Sequence, residues 1–168
     1  MFRLLAAIIA AGTALTNSTA ETVLASHELP ANSLQVGKVY ELKALVRATA
    51  TNSTDTLQCR VRVGPTTLTG TVVVDGTAVD VADNNIFVVR LQFTVRSIGT
   101  TGVVIADGLA TIEGAEGTVT ARGAFESLSL NTTVAQKIEI TGVWSVASAS
   151  NSCQAESFVL TELDRKSV

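Results

Sequence analysis

Asp55-Thr56-Leu57-Gln58-Cys59-Arg60-Val61-Arg62-Val63 alternates without a break: Leu57, Cys59, Val61 and Val63 fall on one parity, Thr56, Gln58, Arg60 and Arg62 on the other. A period of two is the repeat of an extended strand with one face in an apolar core and the other toward water. Gly64-Pro65 closes the run, because proline donates no ladder hydrogen bond and restricts the residue before it. The same rhythm recurs on either side. In Val39 to Ala50, Tyr40, Leu42, Ala44 and Val46 share a face opposite Glu41, Lys43 and Arg47. In Ile86 to Ser97, Phe87, Val89, Leu91, Phe93 and Val95 are expected inward and Arg90, Gln92, Thr94 and Arg96 outward, as in a long central strand. Thr67 to Val74, Gln136 to Ser148 around Trp144, and Ala155 to Leu163 read as further strands.

Turn formers punctuate these runs: Thr51-Asn52-Ser53-Thr54, Asp75-Gly76, Ala82-Asp83-Asn84-Asn85, Gly99-Thr100-Thr101-Gly102, Asp107-Gly108, Gly114 to Gly117 and Asn131-Thr132-Thr133. Asp75-Gly76 is read as a hairpin turn, since type I′ needs positive φ and glycine supplies it cheaply. Short strands with regular turn signals predict an all-β fold, an antiparallel β-sandwich or jelly roll of about eight or nine strands. A length of 168 residues suits one such domain. It divides into an apolar N-terminal arm, 1–20, and a jelly-roll domain, 21–168. The arm carries Phe2, Leu4, Leu5, Ile8 and Ile9 with a single charge, Arg3. Its pattern fits a secretory leader, with Ser18-Thr19-Ala20 as a small-residue cleavage site, but also an ordered arm or first strand. The second reading is carried forward. The run is too short to span a bilayer, and no membrane partner is expected.

Composition narrows function mainly by exclusion. Apolar residues make up 46% and charged residues 16%, the opposite of a disordered chain. Aromatics are 4%, too few for a stacking platform, and 12 basic against 15 acidic residues leave a net charge of −3 with no basic run. Nucleic acid is therefore disfavoured as a partner. His27 is the one histidine, so a Ser-His-Asp triad would have to use it, yet no G-x-S-x-G elbow exists. It reads as a strand residue at a surface or subunit contact. Glu113 with Glu116, or Glu156 with Glu162, could be proposed as a glycosidase pair. Such a pair needs a cleft that raises one pKa, usually among aromatics, so solvated acids are the expectation. Asp75, Asp80, Asp83, Asn84 and Asn85 are the oxygen-rich cluster that Ca²⁺ would take, without EF-hand spacing, and they read as turn formers. Neither a metal nor a cofactor is expected. Cys59 and Cys153 could close a loop of more than ninety residues, but an apolar core needs no such staple, and two buried free thiols are expected. The N-x-[ST] triplets at Asn17, Asn52 and Asn131 are read as chance or turn chemistry.

The chain resembles the small jelly-roll structural proteins of tailed bacteriophages and prophages. The likeness rests on Ala11-Gly12-Thr13-Ala14-Leu15-Thr16-Asn17-Ser18-Thr19-Ala20-Glu21-Thr22, on Leu29-Pro30-Ala31-Asn32-Ser33-Leu34 with Gly37-Lys38-Val39-Tyr40, and on Thr51 to Leu57 leading into Arg60-Val61-Arg62-Val63-Gly64. It continues through Ala78-Val79-Asp80-Val81-Ala82, Thr94-Val95-Arg96-Ser97-Ile98-Gly99, Val143-Trp144-Ser145-Val146-Ala147-Ser148-Ala149 and Asn151-Ser152, covering about residues 11 to 163. The resemblance implies a non-enzymatic virion protein assembled in the host bacterial cytoplasm. Its first form is a capsid decoration or cement protein that binds the major capsid protein of the head shell as a homotrimer. The alternative is a tail-fibre or baseplate module that binds a host-surface glycan. No catalytic residue is carried over. The expected interface is the arm, through Phe2, Leu4, Leu5, Ile8 and Ile9, packing across subunits or onto the shell, together with Arg90 and Arg96 on the outward face of their strand.

Overall fold

The computed structural model describes residues 2–8, 10–51, 54–113 and 122–163. In chain order the strands are β1 (Phe2–Ala7), β2 (Leu15–Thr16), β3 (Thr22–Leu29), β4 (Val39–Thr49), β5 (Thr56–Gly64), β6 (Thr71–Asp75), β7 (Val79–Asp80), β8 (Asn85–Ser97), β9 (Gly102–Glu113), β10 (Arg122–Leu130), β11 (Gln136–Trp144) and β12 (Ser152–Leu163). The larger sheet runs β1-β12-β4-β8-β9-β10, with β2 also on β12, and the smaller runs β3-β11-β5-β6, with β7 also on β5. Neighbouring strands are antiparallel in both.

Setting aside the β9–β10 hairpin and the two-residue strands leaves eight strands in two four-stranded sheets, 1-12-4-8 and 3-11-5-6. That interleaving is a jelly roll. The hairpin extends the larger sheet beyond β8, which is why there are more strands than the eight or nine expected.

Alternation in sequence becomes burial in the sandwich. Leu57, Cys59, Val61 and Val63 of β5 face Phe87, Val89, Leu91, Phe93 and Val95 of β8 across one core, filled by Trp144, Phe158, Ile138 and Ile140. Each large side chain so buried contributes roughly 1.5–3 kcal/mol before entropy is deducted. Cys59 and Cys153 are free and buried within it. Burial pushes the Cys153 thiol up to about 12 and raises Cys59 as well, so both stay protonated and unreactive at neutral pH.

Both Asp-Gly pairs differ from expectation. Asp107-Gly108 lies inside β9, where a Cβ on Gly108 would sit 2.5 Å from Val74 Cγ2 and 2.7 Å from the Arg90 carbonyl oxygen. Close approach of the facing sheet, not a turn, requires glycine there. Asp75-Gly76 joins no hairpin, because β6 and β7 both pair with β5 and the Gly76 N–H donates to the Cys59 carbonyl at 3.0 Å. It is a jog in one interrupted edge strand. Thr67–Thr69 lie in the loop before β6, and the strand around Trp144 stops there, Ser145 closing against Thr56 instead.

The N-terminal segment joins the larger sheet of its own chain. β1 pairs with β12 from Phe2 opposite Leu163 to Ala7 opposite Val159, and Leu5, Ala6 and Ile8 pack against the core. Leu4 points outward, 61% exposed.

Candidate functional site

Four loops meet at one end of the sandwich: 30–38 between β3 and β4, 65–70 between β5 and β6, 98–101 between β8 and β9, and 131–135 between β10 and β11. Lys38 is the one charged residue among them. Their local chemistry explains their shapes. Pro30 and Pro65 stop the strands before them. Asn32 and Gly99 take positive φ of 60° and 117°, the left-handed backbone that asparagine and glycine tolerate. Gly64 and Gly70 press together so closely that a Cβ on Gly64 would lie 2.5 Å from the Gly70 Cα, so the loop can close only on glycine.

Hydrogen bonds bind these loops to one another and to the sheets. Thr132 is the hub: its carbonyl accepts from Asn32 N–H at 2.9 Å, its N–H donates to the Gly99 carbonyl at 2.9 Å, and its buried hydroxyl accepts from Gly99 N–H at 2.8 Å. Gly37 N–H donates to the Val95 carbonyl at 2.9 Å. Leu68 has a φ of 62°, which costs a branched side chain about 1 kcal/mol, and its N–H is held at 2.8 Å by the carboxylate of Glu139, only 2% exposed. Lys137 Nζ donates to Thr67 Oγ1 at 2.8 Å. The loops form a preorganised surface whose shape does not have to be selected on contact.

That surface is apolar at its tips. Val36, Ile98, Val134 and Leu68 are 59%, 53%, 41% and 37% exposed, four of the seven large hydrophobic side chains exposed among the described residues. Between loops 65–70 and 131–135 runs a groove of about 190 Å³ whose lining, including Pro65, Thr69, Ser129, Asn131, Val134 and Gln136, holds no charged side chain. Apolar tips on a fixed, charge-poor scaffold match the centre of an interface, where charge is depleted and packing is tight.

The outer face of the smaller sheet is closed on itself. Arg62 grips Glu21 with two hydrogen bonds of 2.7 and 2.8 Å, Thr141 donates to the same carboxylate at 2.6 Å, and Arg60 reaches Glu21 at 3.3 Å and Asp75 at 2.7 Å. The Arg62 guanidinium holds the Glu21 carboxyl down at about 2.

The residues singled out from sequence scatter. His27 lines a recess of about 280 Å³ at the edges of the two sheets, beside Arg3, Ser33, Tyr40 and Glu162. Glu162 pairs with Lys38 at 2.9 Å, and Glu156 pairs with Arg47 at 2.6 Å, six residues away along β12 or roughly 20 Å. The side chain of Glu113, and Glu116 entirely, lie outside the described residues. In the oxygen-rich cluster, Asp75 is taken by Arg60 and Gln58, and the Asn85 side chain accepts from Ala82 N–H. Among the described residues no three His, Cys, Asp or Glu side chains are placed to hold a metal. Asn131 caps its own turn by accepting from Thr133, Asn17 is left-handed, and Asn52 lies outside the described residues. Trp144 is buried in the core. Arg90 and Arg96 are exposed on the larger sheet, as their parity predicts. Ile9 and the Phe2 side chain lie outside the description.

Val36, Leu68, Ile98 and Val134 were not picked out by sequence pattern. For Leu68, Ile98 and Val134 the signal is a single branched apolar residue inside a short uncharged loop otherwise of Gly, Thr, Asn, Pro or Ala; Val36 shares its loop with Leu34 and Lys38. That signal gains meaning only once topology brings the four loops to one end.

No family model matches the chain, and no curated protein matches it. Among solved structures, a chain in the structure of the infectious bursal disease virus Gx strain is similar over 96% of this chain, at 14% identity and a TM-score of 0.41. This chain spans 32% of that one. The CBM2 module of the Lactobacillus casei BL23 phage J-1 evolved Dit is similar over 84% of this chain and 70% of its own, at 10% identity and a TM-score of 0.36.

Proposed function

We propose that this chain is a non-enzymatic structural protein of a tailed-phage virion, a capsid decoration protein that seats on the major capsid protein of the head shell as a homotrimer. The observation that carries the reading is the loop end: four uncharged or nearly uncharged loops, tied together by hydrogen bonds, present Val36, Leu68, Ile98 and Val134 to solvent. Burying each of these on a partner contributes on the order of 1.5–3 kcal/mol, and little of that is lost to ordering because the loops are already fixed. The threefold symmetry and the virion come from the resemblance to phage jelly-roll proteins. Contacts between copies use the free edge of β1, where Leu4 stands outward. The apolar arm then acts as the sheet's outermost strand rather than as a tether reaching into a neighbour.

Cryo-electron microscopy of particles carrying this chain tests the reading. It predicts density for the jelly roll at a local threefold of the shell, with loops 30–38, 65–70, 98–101 and 131–135 turned inward. Density on the tail, or a jelly roll seated on the shell by its opposite end, contradicts it.

A further inference from the structure

The outer face of the larger sheet holds a depression of about 380 Å³ over β4, β8 and β9, away from the loop end. The outward side chains at it, with Lys43 just beyond its lining, come in two cross-strand rows. In one, Lys43 lies opposite Arg90 and Arg90 opposite Leu109; in the next, Glu41 lies opposite Gln92 and Gln92 opposite Asp107. Strands stand about 4.8 Å apart and same-face residues about 6.8 Å apart along a strand, so the rows frame a patch comparable with a short oligosaccharide. One row offers donors and the other acceptors, with Gln92 able to do both. The side chains of Arg90, Gln92 and Asp107 make no hydrogen bond or ion pair with another described residue, whereas Glu41 and Lys43 pair at 3.1 Å.

We infer that this depression is a binding site for a neutral polyhydroxylated ligand, an uncharged oligosaccharide. A hydroxyl donates and accepts at once, so vicinal hydroxyls laid across both rows satisfy the guanidinium of Arg90 and the carboxylate of Asp107 together. Glu41 is already paired with Lys43, so the unpaired charges of the lining are one of each sign, Arg90 and Asp107, and that balance discriminates by charge. An anionic ligand meets Asp107; a cationic one meets Arg90. Leu109 supplies an apolar wall for the C–H face of a sugar ring. The smaller sheet presents nothing comparable, because its arginines are already occupied by Glu21 and Asp75. The site is independent of the loop end, so attachment to a shell and sugar binding can fail separately.

The test is an amide chemical-shift titration of the full chain with maltotetraose, cellotetraose and a β-galactotetraose, alongside tetragalacturonate and tetraglucosamine as anionic and cationic counterparts. The expected result is that at least one neutral tetraose shifts amides of 41–43, 90–92 and 107–109 and leaves those of 36, 68 and 134 in place. Arg90→Ala and Asp107→Ala, both at exposed positions, should each weaken that binding at least tenfold while leaving the remaining spectrum unchanged. The inference is overturned if no neutral tetraose moves these amides, if a charged counterpart binds more tightly than every neutral one, or if both variants bind like the parent chain.

Discussion

The two ends of the sandwich are built differently. At the loop end, hydrogen bonds run between loops, from Asn32 to Thr132 and from Thr132 to Gly99, and the apolar side chains at the tips are left to solvent. At the opposite end the polar groups turn inward. Asp55, 2% exposed, takes a 2.9 Å hydrogen bond from the side chain of Asn151, which is buried completely and also donates to the Val146 carbonyl at 3.2 Å. Thr56 and Ser145 close on each other beside them, by a 2.9 Å bond in each direction. A buried carboxylate with its partner makes an end that stability depends on. Exposed hydrophobic tips on a fixed frame make the end that, in the proposed reading, gains from a partner.

That contrast can be broken by mutation. Asn151→Leu strands the Asp55 carboxylate in the core and should cost about 2–3 kcal/mol in urea unfolding, while attachment of the folded fraction stays as it was. Glu21→Gln, on the smaller sheet between the two ends, should cost on the order of 2 kcal/mol at neutral pH once its partial exposure is allowed for. Because the folded carboxyl titrates at about 2 against an ordinary 4.5, its contribution is complete above pH 4.5 and is lost as the pH falls toward 2. Unfolding curves across that window should show a steeper acid loss for the parent chain than for Glu21→Gln. Leu68→Gly sharpens the comparison by moving the two properties apart. It relieves the left-handed strain, for a net change within about 1 kcal/mol in the stabilising direction, yet removes one apolar tip and should weaken attachment. Val146→Asp, at the exposed hydrophobic of the opposite end, should change stability by less than about 0.5 kcal/mol and attachment not at all.

The fold was legible where one face of a strand is buried and the other wet. In β5 and β8 that alternation is strict, and parity alone places Leu57 to Val63 and Phe87 to Val95 inside with Arg90 and Arg96 outside. It was misleading where a local signal has two physical causes. Asp-Gly is favoured in a tight turn, but glycine is also required where a neighbouring backbone or a facing side chain comes too near for a Cβ, as the Cys59 carbonyl does at Gly76 and Val74 does at Gly108. The N-terminal run announced buried surface through its composition, but composition does not say whose surface covers it; here β12 of the same chain covers part of it. The loop end was illegible for another reason. Val36, Leu68, Ile98 and Val134 stand far apart in sequence, and strand order alone brings their loops together. Arg90 and Asp107 likewise share a depression only because β8 and β9 are neighbours with Gln92 in register between them.

The loop end as the attachment surface is tested most directly by a chain carrying Val36→Asp, Ile98→Asp and Val134→Asp together, with Val146→Asp as the matched variant at the other end. Binding of each to head shells stripped of this protein would be measured by co-sedimentation over a concentration series, after urea unfolding has established that both are folded. Placing three charges where apolar side chains are to be buried predicts at least about a hundredfold weaker binding for the triple variant, and none for Val146→Asp. A triple variant that is folded and binds stripped shells as tightly as the parent chain contradicts the account.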